Sequence, residues 1–330
     1  MVVINLLNKL IHSSLLKYTL KRLALAVLVL FLVSVIVFVA VRACPGDPVL
    51  MKIGPHGDAS EENYNRVAAQ LGLDKSYPEQ YFIWLGGFVT GDFGVSLING
   101  ADIGSIIMEK LPITLELLVV SMILALVLAI IFGVTSAIYK GSLYDQFIQL
   151  ISTGFLAIPS FCFALIAILI FAVKLKVLPS MGYVALSEDP IGHMKYLLMP
   201  AIIMAFMEQA ALTRYIRSEM LEVLSTNYVR TAKAKGLPTN TIYYKHAFKN
   251  VLVTVVTLVG QRIGQLIGGS VVIEQVFSWS GLGWYLYTSV IKQDYPAVQA
   301  VVLLIAAAMV ILNMLADILY AAIDPRIKLD

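Results

Sequence analysis

Two sets of residues in this sequence have types and spacings suited to work beyond packing. The first consists of charges inside apolar runs. Glu208 falls in the run from Tyr196 to Thr213, and Arg262 in the run from Val251 to Phe277. A charge at that depth in a bilayer is costly and faces a protein interior or a water-filled path. At ~1.5 Å per residue both reach similar depth, so they either neutralise one another as a buried pair or share one aqueous cavity on a translocation path. Gln261 and Gln265 extend a polar stripe beside Arg262. Gly260, Gly264 and Gly268 form a stripe of small residues that lets another helix approach closely, within the chain or between subunits. Glu116 and Asp317 stand nearer the ends of their runs, within reach of an interface.

The second set lies in residues 227–250, NYVRTAKAKGLPTNTIYYKHAFKN, between two apolar runs. Arg230, Lys233, Lys235, Lys245 and Lys249 lie in it without an acidic residue, and Gly236 and Pro238 break it in the middle. A positive excess of this kind marks a cytoplasmic loop. Its helix–glycine–helix pattern presents a surface to a partner. Other chemistry is absent from the sequence. No Gly-rich Lys-Ser/Thr nucleotide loop and no His-Glu-x-x-His occurs. The four histidines (His12, His56, His193 and His246) lie outside the apolar runs, so no catalytic dyad or metal cage is expected in the membrane. Cys44 and Cys162 have no metal-site or disulfide spacing. Arg42 and the length of the preceding run argue against cleavage before Cys44 as a lipoprotein.

The elements that position these residues follow from composition. Of 330 residues, 59% are hydrophobic and 14% charged, with a net charge of +3 and a mean hydropathy of +0.84. That balance belongs to a polytopic membrane protein, and the small net charge gives no reason to expect nucleic acid. Six runs approach the roughly 20 apolar residues needed to cross a bilayer: Tyr18–Val41, Ile113–Ile138, Phe147–Val173, Tyr196–Thr213, Val251–Phe277 and Ala297–Ile323. The expected fold is an all-α integral membrane protein of six transmembrane helices, with a bend at Pro159 in the third. Lys9, Lys17, Lys21, Arg22, Lys140, Arg214, Arg217, the bases of 227–250, Arg326 and Lys328 fall on one side if the runs alternate. Both termini (1–17 and 324–330) are therefore expected in the cytoplasm. Residues 42–111 form an external loop subdomain, opening with the turn Pro45-Gly46-Asp47-Pro48 and carrying interfacial aromatics from Tyr81 to Phe88. Residues 112–323 form the core, with the basic loop at 214–250. The stretch from Phe277 to Asp294 is too short to span and is read as a re-entrant or surface helix, or an external hairpin.

Several blocks, in order, resemble the transmembrane permease subunits of ABC importers of the dipeptide, oligopeptide and nickel family. They are PGDP at 45–48, LGLD at 71–74, YFIWLGGFVTGDFGVSL at 81–97, LPITLEL at 111–117, SEMLEVLSTNYVRTAKAKGL at 218–237, DYPAVQAVVLL at 294–304 and DPRI at 324–327. The resemblance implies the type I importer fold and a coupling helix that docks in a groove of a separate ATPase, drawing on Tyr228, Arg230, Thr231, Ala232, Lys233, Ala234, Lys235 and Gly236. Ala232 and Gly236 match the general loop motif, whereas Arg230 replaces its leading Glu, and the closing Leu-Pro is missing around Phe248 and Lys249. Arg-Thr-Ala followed by Ala-Lys-Gly is similar to the peptide and nickel form. Small Thr231, Ala232 and Ala234 would allow deep seating, Lys233 and Lys235 would meet acids at the rim, and Gly236 can end a helix with positive φ. The implied partners are a second homologous permease, two cytoplasmic ATPases that carry ATP and Mg, an extracytoplasmic solute-binding protein and the lipid bilayer, in the cytoplasmic membrane of a prokaryote. No cofactor is expected on this chain, and the solute is a peptide, nickel or a metal chelate. The rival readings are an ion-coupled secondary transporter or channel, which the lack of an obvious inverted repeat disfavours, and a membrane scaffold.

Overall fold

A computed structural model describes the backbone of residues 2–323 other than 55 and 59, and the side chains of residues 18–318 other than 55, 59, 253, 254, 256 and 257. The expected tail with Arg326 and Lys328, and the side chains of Lys9, His12 and Lys17, lie outside the described residues. The chain order is α1 (Val2–Ala43), α2 (Pro48–Ile53), α3 (Glu61–Gln70), α4 (Tyr77–Thr90), α5 (Ile103–Ile138), α6 (Leu143–Ala157), α7 (Ser160–Ala167), α8 (Pro190–Ser225), α9 (Asn227–Ala234), α10 (Phe248–Phe277), α11 (Leu282–Ile291) and α12 (Tyr295–Ile323). Wider π-helical turns follow α7 (Ile168–Lys174) and precede α10 (Thr241–Ala247). One isolated β-bridge, Val95 to Asp102, is the only extended pairing among the described residues.

The chain is an all-α membrane protein. Four stretches, Tyr18–Ala43, Ile103–Ile138, Pro190–Ser225 and Tyr295–Ile318, are long and apolar enough to cross a bilayer. The third expected crossing is different from a single bent rod. α6 and the α7 segment meet at 102°, so they form a fifth crossing only if the bent pair counts as one. Pro159 sits at the corner: it has no N–H to donate, and it drives Ile158 into an extended conformation (φ −102°, ψ 132°). α10 has 30 residues, about 45 Å of helix.

Other boundaries also moved. α5 starts at Ile103, nine residues before the expected core begins, with Pro112 inside it and Asp102 capping it through Ser105 N at 2.7 Å. α8 starts at Pro190 and runs on to Ser225, so Arg214 and Arg217 are helical, not part of a loop, and His193 lies within the helix. Sequence hydropathy misses these extensions because they carry polar residues while continuing the same hydrogen-bond ladder.

α5 and α8 form the central pair. They run parallel, since Glu116 near the start of α5 faces His193 near the start of α8 while Gly133 faces Thr213 and Ile216 further along both. The α5 face buries Leu118, Met122, Ala125 and Ala129 at helical spacing, against Leu212, Ile216 and Met220 of α8 and Val251 and Val255 of α10. Lipid tails are as apolar as leucine, so helices here associate through close packing over small residues. Ala125, Ala129 and Gly133 supply that small stripe, with both alanines fully buried. A Cβ at Gly133 would lie 2.8 Å from Ile216 Cβ and 3.0 Å from Thr213 O. Gly133→Val is therefore expected to prevent a stable protein, whereas Gly154→Ala, where nothing lies within 4 Å, should leave it intact. Yield and elution profile in detergent read both; a monodisperse Gly133→Val protein would contradict this packing.

Candidate functional site

The basic segment folds into α9, one residue after α8 ends; only Thr226 separates them. Val229 and Ala232 are buried against Ile242, with Leu224 and Tyr243 beside them. Tyr228, Arg230, Thr231, Lys233, Ala234 and Lys235 are exposed. The expectation that Ala232 helps seat the helix in a partner's groove is thus corrected. Its small side chain lets α9 lie close to its own chain, and the outward small residues are Thr231 and Ala234. The helix ends at Gly236 with φ 74°. Gly236 N donates to Lys233 O at 3.0 Å and Leu237 N to Ala232 O at 3.3 Å, the paired closure that a left-handed residue makes possible. Asn250 Nδ2 donates to Tyr228 Oη at 2.7 Å, tying α9 to the start of α10.

Sequence reasoning missed the residue that anchors this region. Asp145, at the start of α6, is buried and accepts two parallel hydrogen bonds from Arg217, from Nε and Nη2, each at 2.7 Å. The Ser136 hydroxyl at the end of α5 and Gly141 N at 2.9 Å also donate to this carboxylate. Four donors thus gather α5, the following turn, α6 and α8 on one side chain. Arg217 was visible only as one basic residue among many, and Asp145 was not singled out. Their separation of 72 positions hides the pair.

Glu208 and Arg262 do not form the direct ion pair that similar depth suggested. Arg262 Nη1 donates to Gln265 Oε1 at 3.1 Å, and Glu208 Oε2 is buried without a hydrogen-bond partner. Gln261 and Gln265 are exposed on α10. The glycine stripe splits in two. A Cβ at Gly260 would lie 2.7 Å from Ala316 Cβ, and one at Gly264 2.8 Å from Asn313 Oδ1, so both pack on α12 within the chain; Gly268 has nothing within 4 Å. Asp317 is paired with Arg22 of α1 at 2.6 Å.

The far ends of these helices hold a second polar centre. His193 is fully buried, with Nδ1 2.7 Å from Val184 O and Nε2 2.9 Å from Glu116 Oε1, though not aligned as a hydrogen bond. The Tyr183 and Trp279 rings pack on it. Burial and, after it, the Glu116 carboxylate raise the Tyr183 phenol above its ordinary range. Glu274, fully buried and not singled out from the sequence, accepts from Thr114 Oγ1 at 2.8 Å, Gly283 N at 2.8 Å and Trp284 N at 3.1 Å. Leu282 N donates to Thr114 Oγ1 at 2.8 Å. The first three amides of α11 are therefore all satisfied, and the carboxylate sits at the positive end of that helix. The stretch from Phe277 to Asp294 is thus a short helix held by buried caps. Beyond it, Asp294 accepts from the Ser96 hydroxyl and Leu97 N, and Tyr295 Oη donates to Pro45 O at 2.9 Å, binding the segment between α1 and α5 to the start of α12. Burial and then Asp294 push the Tyr285 phenol up to about 12.

This architecture, a helical core with a short exposed helix at one end and the clamped segment between α1 and α5 at the other, agrees with the comparisons with known proteins. Residues 129–329 match the family described as binding-protein-dependent transport system inner membrane component, and residues 15–118 match the N-terminal region of such membrane components. Similar proteins include the oligopeptide transport system permease protein AppB of Bacillus subtilis, 40% identical over 94% of this chain and 99% of that protein. A putative peptide transport system permease protein of Brucella abortus is 37% identical over 94% of this chain and 98% of its own length. The glutathione transport system permease protein GsiC of Escherichia coli is 34% identical over 95% and 99%. The chain belongs to the binding-protein-dependent inner membrane component family, as a permease subunit of an ABC importer.

The Asp145–Arg217 tie yields a direct test. Breaking a buried pair by removing one partner costs about 3 kcal/mol or more, because the other charge is left behind. Asp145→Asn and Arg217→Gln should each lower the stability of the purified protein, and the double variant should lose much less than the two losses summed. Thermal unfolding in detergent measures all three; additive losses would show that the pair is not a unit.

Proposed function

We propose that this chain is the peptide-passing permease of an ATP-driven importer in a prokaryotic cytoplasmic membrane. α9 is its docking helix for a cytoplasmic ATPase. The observation carrying this reading is the disposition of α9: one face fixed to the chain through Val229 and Ala232, the other presenting Arg230, Thr231, Lys233, Ala234 and Lys235. A groove lined by acids is the complement of that face. ATP closure of two such ATPases, one under this chain and one under a second homologous permease, favours one conformation of the spans, and the external binding protein favours loading from the other side. ATP and Mg belong to those partners. The basic residues of the short loops support a cytoplasmic position for α9 and the termini, with residues 44–102 outside.

Peptide is the proposed solute because the similar proteins named above carry oligopeptide, peptide and glutathione in their names. Gln261 and Gln265, exposed on α10, with Arg262 beside them and the half-buried Glu208, are the groups offered to a zwitterionic solute on the path. An ion-gradient transporter would not need α9, and membership of a binding-protein-dependent family speaks against it.

The complex reconstituted in vesicles tests the reading. Loaded binding protein should stimulate ATP hydrolysis and uptake of a labelled peptide, and neither a nickel salt nor a nickel chelate should compete. Gly236→Val, which places a β-branched residue at φ 74°, should leave the complex assembled but reduce uptake to background. Uptake in the absence of any ATPase, or normal uptake by Gly236→Val, would remove the assignment.

A further inference from the structure

The external segment encloses a cavity of about 320 Å³ between α1, α4 and the start of α12. Two of its lining residues have donors that the protein itself leaves unanswered. Arg42, half-buried at the end of the α1 crossing, donates from Nε and Nη2 to Gln80 Oε1 at 3.1 and 2.8 Å and stacks over Phe38, but pairs with no carboxylate. Gln299 is 5% exposed, and its Nε2 is buried with no hydrogen-bond partner. The one carboxylate among the lining residues, Asp92, accepts from Gly94 N at 3.0 Å and makes no ion pair with Arg42. A half-buried guanidinium without a counter-charge and a buried amide N–H without an acceptor both call for the same thing, an anion with several oxygens.

The surroundings say where that anion comes from. Arg42 is one residue from the end of an apolar crossing that finishes at Ala43, which puts it at the membrane–water boundary. α4 lies alongside, with Trp84 at the cavity and Phe82, Ile83 and Val89 65%, 56% and 78% exposed. An amphipathic ring near the headgroups and apolar side chains open to the outside are the pattern of an interfacial helix. Ile83 also lines the cavity, so an acyl chain leaving it would continue along apolar surface.

We propose that this cavity holds the phosphate headgroup of an anionic phospholipid, gripped by Arg42 and Gln299. The lipid ties the external segment to α12, at the place where Asp294 and Tyr295 already join them. Its placement in the outer leaflet rests on the orientation proposed above. The site itself is independent of transport.

The test is native mass spectrometry of the intact importer complex after exchange into phosphatidylglycerol-containing nanodiscs and detergent release. Wild type should keep a tightly held phosphatidylglycerol that Arg42→Gln and Gln299→Glu each lose, with retention about tenfold weaker, as expected for removing one charge-assisted hydrogen bond. Gln299→Glu preserves shape and adds a repelling charge, so it decides the matter if Arg42→Gln fails to assemble. Equal retention by wild type and an assembled Gln299→Glu complex would overturn the proposal. So would a wild-type complex that binds inorganic phosphate but keeps no lipid. Because the readout is binding, loss of the lipid with normal uptake would leave the transport reading standing. Failed uptake with lipid retained would leave this site standing.

Discussion

The structure depends on the parallel contact of α5 and α8, two helices of 36 residues each. Small residues on α5 bring them close, and a polar tie stands at each end: Glu116 facing His193, and Ser136 with Asp145 and Arg217. Glu116 and Ser136 are 20 positions apart, about 30 Å of helix, which is the thickness of the hydrocarbon core. Between the ties the contact is mostly apolar, with Ser121, Gln209 and Thr213 buried along it. α6, α7, α9, α10, α11 and α12 pack on this pair, whereas α1 attaches to α12. α6 is pinned to its Ser136–Arg217 end, α10 packs on the Leu117–Met122 side through Leu266 and Ile273, and α11 is capped from α5 through Thr114.

Much of this was legible in the residue order, and what was not has a common cause. Apolar runs, the positive loop and the glycine before Pro238 are local signals: four of the six runs fall in helices long and apolar enough to cross, and the loop and its glycine located the short exposed helix and its left-handed end at Gly236. Pro159 signalled a bend, but a local rule for proline says nothing of its size, which is set by what the two halves pack against. The polar partners were not legible. Glu208 and Arg262 lie at similar depth, but depth leaves the azimuth around each helix free, and Arg262 turns to Gln265 instead. Asp145 with Arg217 and Glu274 with Thr114 are separated by 72 and 160 positions, and only the packed helices bring them together. Ala232 shows a similar limit. A small residue looks the same in sequence whether it clears room for a partner or for its own chain.

The two carboxylates that sequence reading passed over, Asp145 and Glu274, share a design. Each is buried, and each is answered by several donors from different elements, so that one side chain fixes the meeting of three segments. In a bilayer such a carboxylate has no water to fall back on. Partial satisfaction would cost more than an apolar substitute, and a full set of donors makes the junction rigid.

The position of the close approach of α8 to Gly133 has a geometric consequence. Ile216 touches Gly133 nine positions before α8 ends and 26 after it begins. With that touch as a fulcrum, the arm towards Ser225 is about 14 Å and the arm towards Pro190 about 39 Å, or about 24 Å counting only as far as Pro200. A sideways push of given size delivered through Thr226 would then swing the opposite tip two to three times as far. Such gearing trades force for travel.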